Sequence, residues 1–329
     1  MQHSFAEYFS EKALLCAYGS GGLAFAKMKK PVRDLCGLAP CLARSGALEL
    51  RLATTRKEIR KAQRLRYKVF FEEGNAIPDR TAKLLRRDIC AFDRACDHLL
   101  VIDHAARSKR LGIVKPKVIG VYRLLRQDVA ERSGGFYSAQ EFDLPALLAR
   151  HKDKKFLELG RACVLADYRG KGVIELLWQG IGTYAQHHCI DVLLGCASLE
   201  GCNAAALGPQ LAVLRQQSAT TRASGLDWSA KAQDLRRIAM DRIDLTPLQS
   251  ARALRALPPL VKAYLRCGAI VGDGAVADPR FGTTDVLMVL PLAEIAPRYL
   301  AQFGNAGLVN RVRASAEGRS AIPALIVSA

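Results

Sequence analysis

The sequence has 329 residues and half of them are hydrophobic, enough for one large domain or two smaller ones with a sizeable core. Its 49 basic and 31 acidic residues give a net charge of +18, which predicts an acidic partner such as a nucleic acid, an anionic lipid surface or an acidic protein. The ten cysteines lack the paired spacing of a metal site, and no apolar run is long enough to cross a membrane, so any membrane contact should be peripheral.

Composition divides the chain into three parts. Residues 1–46 show weak periodicity and are expected to form a poorly ordered extension, the folded body spans 47–304, and 305–329 form a tail. The body opens at Leu48–Leu52, where apolar and charged residues alternate and predict a strand.

A helix with one strongly basic face is predicted next. Thr55 and Glu58 have the spacing of a capping box, and apolar residues recur on one side from Arg56 to Phe71. The opposite face carries six cations: Arg56, Lys57, Arg60, Lys61, Arg64 and Lys68. We interpret this face either as a solvated surface or as the docking site for an acidic carrier protein or anionic lipid headgroups.

Alternating apolar segments predict a hairpin and then a strand–helix–strand unit. The hairpin strands are His98–Ile102 and Val118–Tyr122, joined through the basic turn Arg107–Arg110. The later elements, in chain order, are a loop at Gly134–Tyr137, a strand at Phe156–Val164, a helix at Val173–His187, a strand at Val192–Ala197, a helix from Asn203 to about Arg215, a helix at Leu248–Leu265 interrupted by Pro258 and Pro259, a strand at Val286–Leu290 and a helix at Ile295–Phe303. The resulting fold class is mixed α/β (α+β).

The strand at Phe156–Val164 carries two charges in an apolar run, and buried charges are costly unless they are paired or used. Glu158 and Arg161 are three residues apart, so a regular strand would point them to opposite faces. Gly160 between them predicts a bulge that brings both onto one face and separates the strand from its neighbour. The freed backbone N–H groups could bind the oxygen of a thioester carbonyl; the structural alternative is an ion pair within the sheet.

A glycine-rich basic turn, Tyr168–Gly172, links this strand to the helix at Val173–His187. Helix N-terminal amides favour anions, so the turn is a candidate phosphate site. The order strand, Arg-x-x-Gly turn, helix, strand resembles the core of the GNAT acyltransferase superfamily, in which this turn holds the pyrophosphate or phosphopantetheine of the acyl donor. Ile174 stands where that superfamily has Gly or Ala, which favours the single phosphate of a carrier protein's phosphopantetheine.

Short segments spread from about residue 48 to residue 304 form a specific combination. They are Arg66–Phe70, Phe92–Asp93 with Cys96–Val101, Gly120–Leu124, Gly134–Ser138, Glu158–Arg161, Leu176–Ile181, Gly195–Ser198, Leu257–Leu260 and Val271–Val276. This combination resembles the bacterial L-ornithine Nα-acyltransferase family. The resemblance implies a GNAT-like acyltransferase fold, with a central mixed, mostly antiparallel sheet split at a bulged strand and helices on both faces.

The resemblance also implies a reaction and its partners. A 3-hydroxyacyl chain is expected to pass from acyl carrier protein to the α-amine of L-ornithine, giving lyso-ornithine lipid. The donor is expected to be carried on the phosphopantetheine of acyl carrier protein, with no bound cofactor. The expected protein is cytoplasmic, with peripheral contact at the anionic inner face of the bacterial membrane and no nucleic-acid partner.

The expected chemistry needs a base, because an ammonium group cannot attack a thioester before it loses a proton. We assign this task to Glu158 and group Arg161 with it as a catalytic candidate. Arginines bind carboxylates or phosphates through bidentate contacts, and aspartates suit the distal ammonium of ornithine. The predicted substrate-binding residues are Arg66, Phe70, Asp93, Asp97 and Arg123. The predicted donor-binding residues are Arg169, Gly170, Lys171 and Gly172. For each of these residues a structural role is the alternative.

Other acyl-transfer mechanisms fit the sequence less well. Acyl-homoserine-lactone synthases share several of these motifs but usually carry a tryptophan soon after Val-Phe, whereas the first tryptophan here is Trp178. A synthase of that kind, or another amino-acid N-acyltransferase, is the alternative enzyme. Cys163 or Cys196 could form a thioester with the enzyme, but direct transfer is simpler. The spacing of His98 and Asp103 matches that of glycerolipid acyltransferases by chance, within a strand core.

The histidine-containing and basic segments bear on two further functions, metal binding and binding of membrane or nucleic acid. The pair His187–His188 has no second ligand pair, so no metal site is predicted. The alternative outside enzymes is a basic protein that binds membrane or nucleic acid through the helix at Arg56–Lys68. That alternative predicts a steep salt dependence of nucleic-acid binding and no need for Glu158.

Overall fold

The computed structural model of the chain describes residues 35, 37–39, 41–107, 114–170, 172–222, 227–241 and 243–295. The predicted extension at 1–46 lies mostly outside the described residues, as do the tail at 305–329 and the predicted helix beyond Ile295. Most of the predicted turn Arg107–Arg110 also falls outside them. None of the helices in the described part combines the length and the hydropathy that a membrane span requires.

Within the described residues, nine strands form one sheet that organises the molecule. The strands are β1 (Cys41–Ser45), β2 (Leu48–Leu52), β3 (Asp97–Asp103), β4 (Lys117–Arg126), β5 (Phe156–Val164), β6 (Val192–Glu200), β7 (Arg237–Ile238), β8 (Ile270–Asp278) and β9 (Thr283–Pro291). Their order across the sheet is β1-β2-β3-β4-β5-β6-β9-β8-β7, and every neighbouring pair is antiparallel except β5 and β6. The predicted mixed, mostly antiparallel sheet is confirmed.

Helices cover both faces of the sheet, as the sequence predicted. They are α1 (Arg56–Tyr67), α2 (Arg80–Leu85), α3 (Gln127–Arg132), α4 (Leu144–Arg150), α5 (Val173–His187), α6 (Gly208–Arg222), α7 (Pro247–Ala256) and α8 (Pro259–Arg266). One face carries α5 to α8 over a core that includes Leu99 and Ile181. The other face carries α1, whose Arg66 reaches Asp93 beside Arg123 of β4, together with α3 and α4 over a second core that includes Phe142 and Phe156.

The first helix begins as predicted and ends differently. Glu58 N–H donates to the Thr55 hydroxyl at 3.2 Å and Thr55 N–H donates to the Glu58 carboxylate at 3.1 Å, which confirms the capping box. The α-helix ends at Tyr67 and continues as a π-helical turn, Lys68–Glu72, instead of running as α-helix to Phe71. Hydrophobic spacing cannot distinguish these two forms over one turn, because the register changes by a single residue.

The first residue of α5 agrees with the sequence prediction, whereas the first residue of α6 does not. α5 spans Val173–His187 as predicted, with Gly172 in a left-handed conformation (φ +69°) at its start. α6 begins at Gly208 rather than at Asn203, because the Asn203 side chain caps a separate turn by accepting from the N–H groups of Ala205 and Ala206.

Two longer strands were not predicted. β1 lies inside the expected N-terminal extension, where its half-exposed residues pair with β2 across a turn and show little apolar alternation. β8 contains Gly272 and Gly274, and its pairing with β9 shifts register between Val271 and Ala275. Gly274 has φ +92°, so the alternation that marks a strand in sequence is interrupted there.

Candidate active site

β5 contains the predicted bulge, although the strained residue differs from the predicted one. Between the pairs Val121–Cys163 and Arg123–Gly160, β5 has one residue more than β4. Arg161 takes up the extra length with φ +54°, a left-handed conformation that costs a non-glycine residue about 1 kcal/mol. Gly160 is not required for the bulge, since a Cβ there would lie 3.6 Å from the Arg123 side chain, an ordinary contact.

The sheet divides beside this bulge. β5 and β6 pair at Phe156–Glu158 with Val192–Leu194, after which β5 continues along β4 and β6 along β9. A Cβ at Gly195 would lie 2.2 Å from the carbonyl oxygen of Leu159, so only glycine fits where the two strands part. The predicted split at a bulged strand is confirmed.

The two charges of β5 reach the same side of the sheet, as predicted. The Glu158 carboxylate accepts hydrogen bonds from the N–H groups of Tyr137 at 2.8 Å and Ser138 at 2.7 Å. The Arg161 guanidinium lies over the Tyr137 ring, 4.9 Å from its centroid. Glu158 is buried, and its two hydrogen bonds hold the turn Tyr137–Gln140 against β5.

A first group of buried charges lies beside Tyr137. We call it the arginine cluster, and it comprises Arg66, Asp88, Asp93, Arg123 and Arg161. Arg66 donates from Nε to Asp88 Oδ2 at 2.8 Å and from Nη2 to Asp93 Oδ2 at 2.7 Å. Burial opposes ionisation of Asp93, but the charge and the hydrogen bond of Arg66 outweigh it and lower the pKa of that carboxyl. The structure therefore brings three predicted site residues, Arg66, Asp93 and Arg123, together with Arg161.

Arg123 and Arg161 are less completely paired than Arg66. Arg123 Nη1 is 3.6 Å from Asp93 Oδ1, and Arg161 Nε is 3.4 Å from Asp88 Oδ2. Neither nitrogen has a hydrogen-bond partner among the described residues. Because three arginines face two aspartates, the cluster carries an excess positive charge that suits an anionic group of a substrate.

A second group of buried charges contains acids alone. We call it the carboxylate cluster, and it comprises Glu141, Asp278 and Asp285, whose oxygens lie within 4.8 Å of one another. In the described part of the chain, no lysine or arginine forms an ion pair with these three residues. Burial and the charge of Asp285 raise the pKa of Glu141 to about 7, and burial raises the pKa of Asp285.

Three separate elements assemble the carboxylate cluster. Glu141 follows the turn that Glu158 holds, Asp278 ends β8, and Asp285 lies on β9 opposite Ser198 of β6. Carboxylate oxygens at this spacing suit either a substrate ammonium or a hard divalent cation. Sequence reasoning missed all three acids, although two of the family-like segments end just before Glu141 and Asp278.

The glycine turn before α5 has open space around its two glycines. Gly170 and Gly172 have φ +82° and +69°, and a Cβ at either position would meet nothing within 4 Å. Arg169 donates to Glu73 at 2.8 Å and to the carbonyl of Val164 at 3.1 Å, so its guanidinium is partly committed to the protein. Lys171 lies outside the described residues.

Of the two remaining predicted substrate residues, one lies at the site. Phe70 packs edge-on against Phe281, with ring centroids 5.4 Å apart, and Arg161 lies over both rings. Asp97 instead accepts a hydrogen bond from Tyr184 of α5 at 2.6 Å, on the face of the sheet opposite to Glu158. Asp97 therefore does not join the other predicted site residues.

The side chains considered for other acyl-transfer mechanisms are engaged differently. Burial raises the pKa of the Cys163 and Cys196 thiols, which disfavours a thiolate nucleophile. Burial lowers the pKa of His98 to about 4, and its ring contacts the Asp93 carbonyl rather than Asp103. These environments favour direct transfer over an enzyme-bound thioester.

Comparisons with known proteins point to the same chemistry. A family model described as acetyltransferase (GNAT) domain matches residues 65–179. The chain is 46% identical over 261 residues to an L-ornithine N(alpha)-acyltransferase of Agrobacterium fabrum (strain C58), covering 79% of this chain and 86% of that protein. It is also 46% identical over 263 residues to an L-ornithine N(alpha)-acyltransferase of Rhizobium meliloti (strain 1021), covering 80% and 86%.

Among solved structures, the chain is similar to FeeM, an N-acyl amino acid synthase from uncultured soil microbes. The identity is 13% and the TM-score is 0.40, with 78% of this chain and 97% of that chain covered.

Proposed function

Because the chain belongs to the L-ornithine N(alpha)-acyltransferase family, we propose that it transfers a 3-hydroxyacyl chain from acyl carrier protein to the α-amine of L-ornithine. The product is lyso-ornithine lipid. The activity class, acyl transfer, follows from family membership together with the GNAT domain match. The donor, the acceptor atom and the product are the proposal.

The observation that carries the proposal is the placement of two oppositely charged clusters beside one split in the sheet. Ornithine has two ammonium groups and one carboxylate. The carboxylate cluster fits an ammonium group, and the free donors of Arg123 and Arg161 fit the substrate carboxylate. Arg161 connects the two clusters, since it lies near Asp88 and its charge also acts on Asp285.

The proposed reaction proceeds by direct attack. A carboxylate takes a proton from the α-ammonium group, and the neutral amine attacks the thioester carbonyl carbon. An N–C bond forms while negative charge develops on the carbonyl oxygen, where backbone N–H groups of β5 beside the split are suited to stabilise it. The attacking nitrogen then loses its second proton while the C–S bond breaks, and the leaving phosphopantetheine thiolate takes up a proton, which gives the amide and the free thiol.

Two carboxylates are candidates for the base. Glu158 is the base expected from the sequence, but its carboxylate already accepts two backbone hydrogen bonds and anchors the turn Tyr137–Gln140. Glu141 has a pKa of about 7, which suits proton transfer near neutral pH. We therefore place Glu141 first as the proton acceptor and assign Glu158 to positioning.

Donor binding is proposed at the glycine turn and on α1. The open turn at Gly170–Gly172, at the start of α5, suits the phosphate of phosphopantetheine. The exposed cations of α1 suit the acidic carrier protein. Reversing three of them should raise the KM for acyl carrier protein by about tenfold, with kcat little changed, because steering charges act on encounter.

The charge-reversal test has a matched control. The triple variant is Arg56→Glu, Arg60→Glu and Arg64→Glu, and the control reverses the exposed Arg252 and Arg255 of α7. An unchanged KM in the triple variant would remove the docking role from α1.

A single assay tests the proposed reaction. Purified protein is incubated with 3-hydroxyacyl carrier protein and ornithine, lysine, 2,4-diaminobutyrate or norvaline, and products are identified by mass spectrometry. The Nα-acyl product should form with ornithine. Norvaline, which lacks the δ-amine, should react at least about a hundredfold more slowly, because Asp278 and Asp285 of the carboxylate cluster would have no δ-ammonium group to bind. Absence of an acylated amine with every acceptor would refute the proposal.

A further inference from the structure

The segment from Ile77 to Ile89 presents large apolar side chains to solvent. Leu84 is 83% exposed and Ile77 66% exposed, with Leu85 and Ile89 at 41% and 40%. Half of the large hydrophobic residues that are exposed in the described part of the chain fall within this segment. Scattered exposed leucines are ordinary, but a group on one short segment marks an interaction surface.

The segment is held to the protein by polar contacts, not by these apolar residues. Asp79 accepts from Ala82 N–H at 2.7 Å and from Arg280 at 2.9 Å. Asp88 is buried against Arg66. Ala82 is the buried residue of α2, so the two leucines that end this helix project outward and contribute little to the core.

Cations surround the exposed apolar residues. Residues 80–87 read Arg-Thr-Ala-Lys-Leu-Leu-Arg-Arg and contain no acid. Arg80, Lys83 and Arg86 are exposed, and the nearest acids are partly neutralised, since Glu72 pairs with Arg86 and Asp79 with Arg280. We call this surface the α2 face, and it comprises Ile77, Arg80, Lys83, Leu84, Leu85, Arg86 and Ile89.

The α2 face adjoins both the basic helix and the candidate active site. Asp88 N–H donates to the Gln63 carbonyl of α1 at 3.0 Å, and the Asp88 carboxylate lies 3.4 Å from Arg161. The cations of α1 and those of the α2 face therefore lie on neighbouring elements. A surface that contacts Ile89 of the α2 face lies next to Asp88, which belongs to the arginine cluster.

We propose that the α2 face docks on an anionic lipid bilayer, with Leu84 and Leu85 inserted among the acyl chains and the neighbouring cations at the headgroups. The chemistry is that of an interfacial segment, in which apolar insertion and attraction to anionic lipid act together. A bilayer accepts side chains that protrude from a six-residue helix without needing a complementary groove. A protein partner with that groove is the competing occupant.

The test uses purified full-length protein and sedimentation with vesicles, and no acyl transfer is measured, so its failure is separate from failure of the proposed reaction. Wild type should bind vesicles of phosphatidylcholine with phosphatidylglycerol more tightly than vesicles of phosphatidylcholine alone. The double variant Leu84→Ser/Leu85→Ser should lower the partition coefficient for the anionic vesicles at least about tenfold, because both inserted side chains are lost.

A matched control and a second measurement keep the test decisive. Leu248→Ser on α7 removes another leucine, 63% exposed, and should leave vesicle binding within about twofold of wild type. In Leu84→Trp, the tryptophan emission should move to shorter wavelength with anionic vesicles and be quenched by brominated lipid. This readout does not depend on the double variant folding.

Three outcomes would overturn the proposal. In the first, wild type fails to sediment with anionic vesicles. In the second, the double variant binds these vesicles as tightly as wild type does. In the third, Leu84→Trp shows no change with vesicles while Leu84→Ser/Leu85→Ser weakens the direct binding of acyl carrier protein, which would assign the α2 face to the carrier protein.

Discussion

The arginine cluster and the carboxylate cluster both lie beside Tyr137, but only the arginine cluster contains ion pairs between opposite charges. In the arginine cluster, Arg66 contacts Asp88 and Asp93 at hydrogen-bond distance, and its charge lowers the pKa of Asp93. The carboxylate cluster has three acids and no ion-pair partner among the described residues, and the pKa of Glu141 is raised.

The difference separates Arg66 and its two aspartates, which support the fold, from carboxylates that await a cationic ligand. A buried ion pair whose hydrogen bonds are made is stable by itself, and removing one partner is what costs free energy. Buried like charges lower stability at neutral pH, so their presence beside a split strand points to a cationic substrate group. The two clusters should therefore respond to mutation with opposite signs of stability change.

The largest expected effect is on turnover, from Glu141→Gln. The variant keeps the shape but removes the charge and the proton acceptor, so kcat/KM for ornithine should fall about 100-fold to 10,000-fold. The exposed Glu131→Gln on α3 serves as the control and should behave as wild type. Steady-state rates at pH 8 check this, and a near-normal rate in Glu141→Gln with a loss in Glu158→Asp would return the base assignment to Glu158.

The next effect is on folding, from Arg66→Met. Two buried aspartates would lose their shared cation, and the free energy of unfolding should fall by about 3 to 5 kcal/mol. Arg64→Met, an exposed change on the same helix, should cost under about 0.5 kcal/mol. Urea unfolding of both variants measures the difference. Equal stability of the two would contradict the supporting role of Arg66.

The free energy of unfolding should depend on pH differently in wild type and in Glu141→Gln. The pKa of Glu141 is raised from 4.5 to about 7, so the folded state holds its proton more tightly than the unfolded state. The stability from this group is complete below pH 4.5 and is lost as pH rises through 7. Relative to Glu141→Gln, wild type should lose about 2 to 3 kcal/mol between pH 4.5 and 8, while its kcat/KM rises over the same range. Parallel stability curves for the two proteins would contradict the raised pKa.

The smallest expected effect concerns the strands that carry both clusters. Gly195→Ala places a Cβ against the Leu159 carbonyl, and the forced shift should cost about 1 to 3 kcal/mol and lower activity. Gly160→Ala makes an ordinary contact and should change the free energy of unfolding by less than about 1 kcal/mol. Thermal unfolding of the two alanine variants compares them. A larger loss in Gly160→Ala would show that the bulge, not the split, is the sensitive point.

Much of the fold is predictable from local signals. The capping box at Thr55 starts α1, and Gly172 starts α5 at its predicted residue. β8 was missed because its glycines interrupt the apolar alternation, and β1 because few of its residues are buried. Local signals therefore succeed where one hydrogen-bonded turn or a regular period defines the element.

The candidate site is only partly predictable for a related reason. Glu158 and Arg161 were identified because charges in a buried strand are conspicuous, and their shared face is confirmed. Asp97 was expected, like Asp93, to hold the distal ammonium of ornithine, but it contacts Tyr184 on the opposite face. A change of face takes a single step along a strand, and sequence proximity does not reveal it.

The sequence by itself determined most of the elements, the family and the charged strand, because hydrogen bonds within a turn, apolar periodicity and short motifs are all local along the chain. Only the tertiary structure decided which charges meet. Glu141 joins Asp278 and Asp285 because Glu158 holds the turn before Glu141 against β5, while β9 pairs with both β6 and β8. Like charges have no complementary pattern in sequence, so their meeting is set by strand pairing and by this turn.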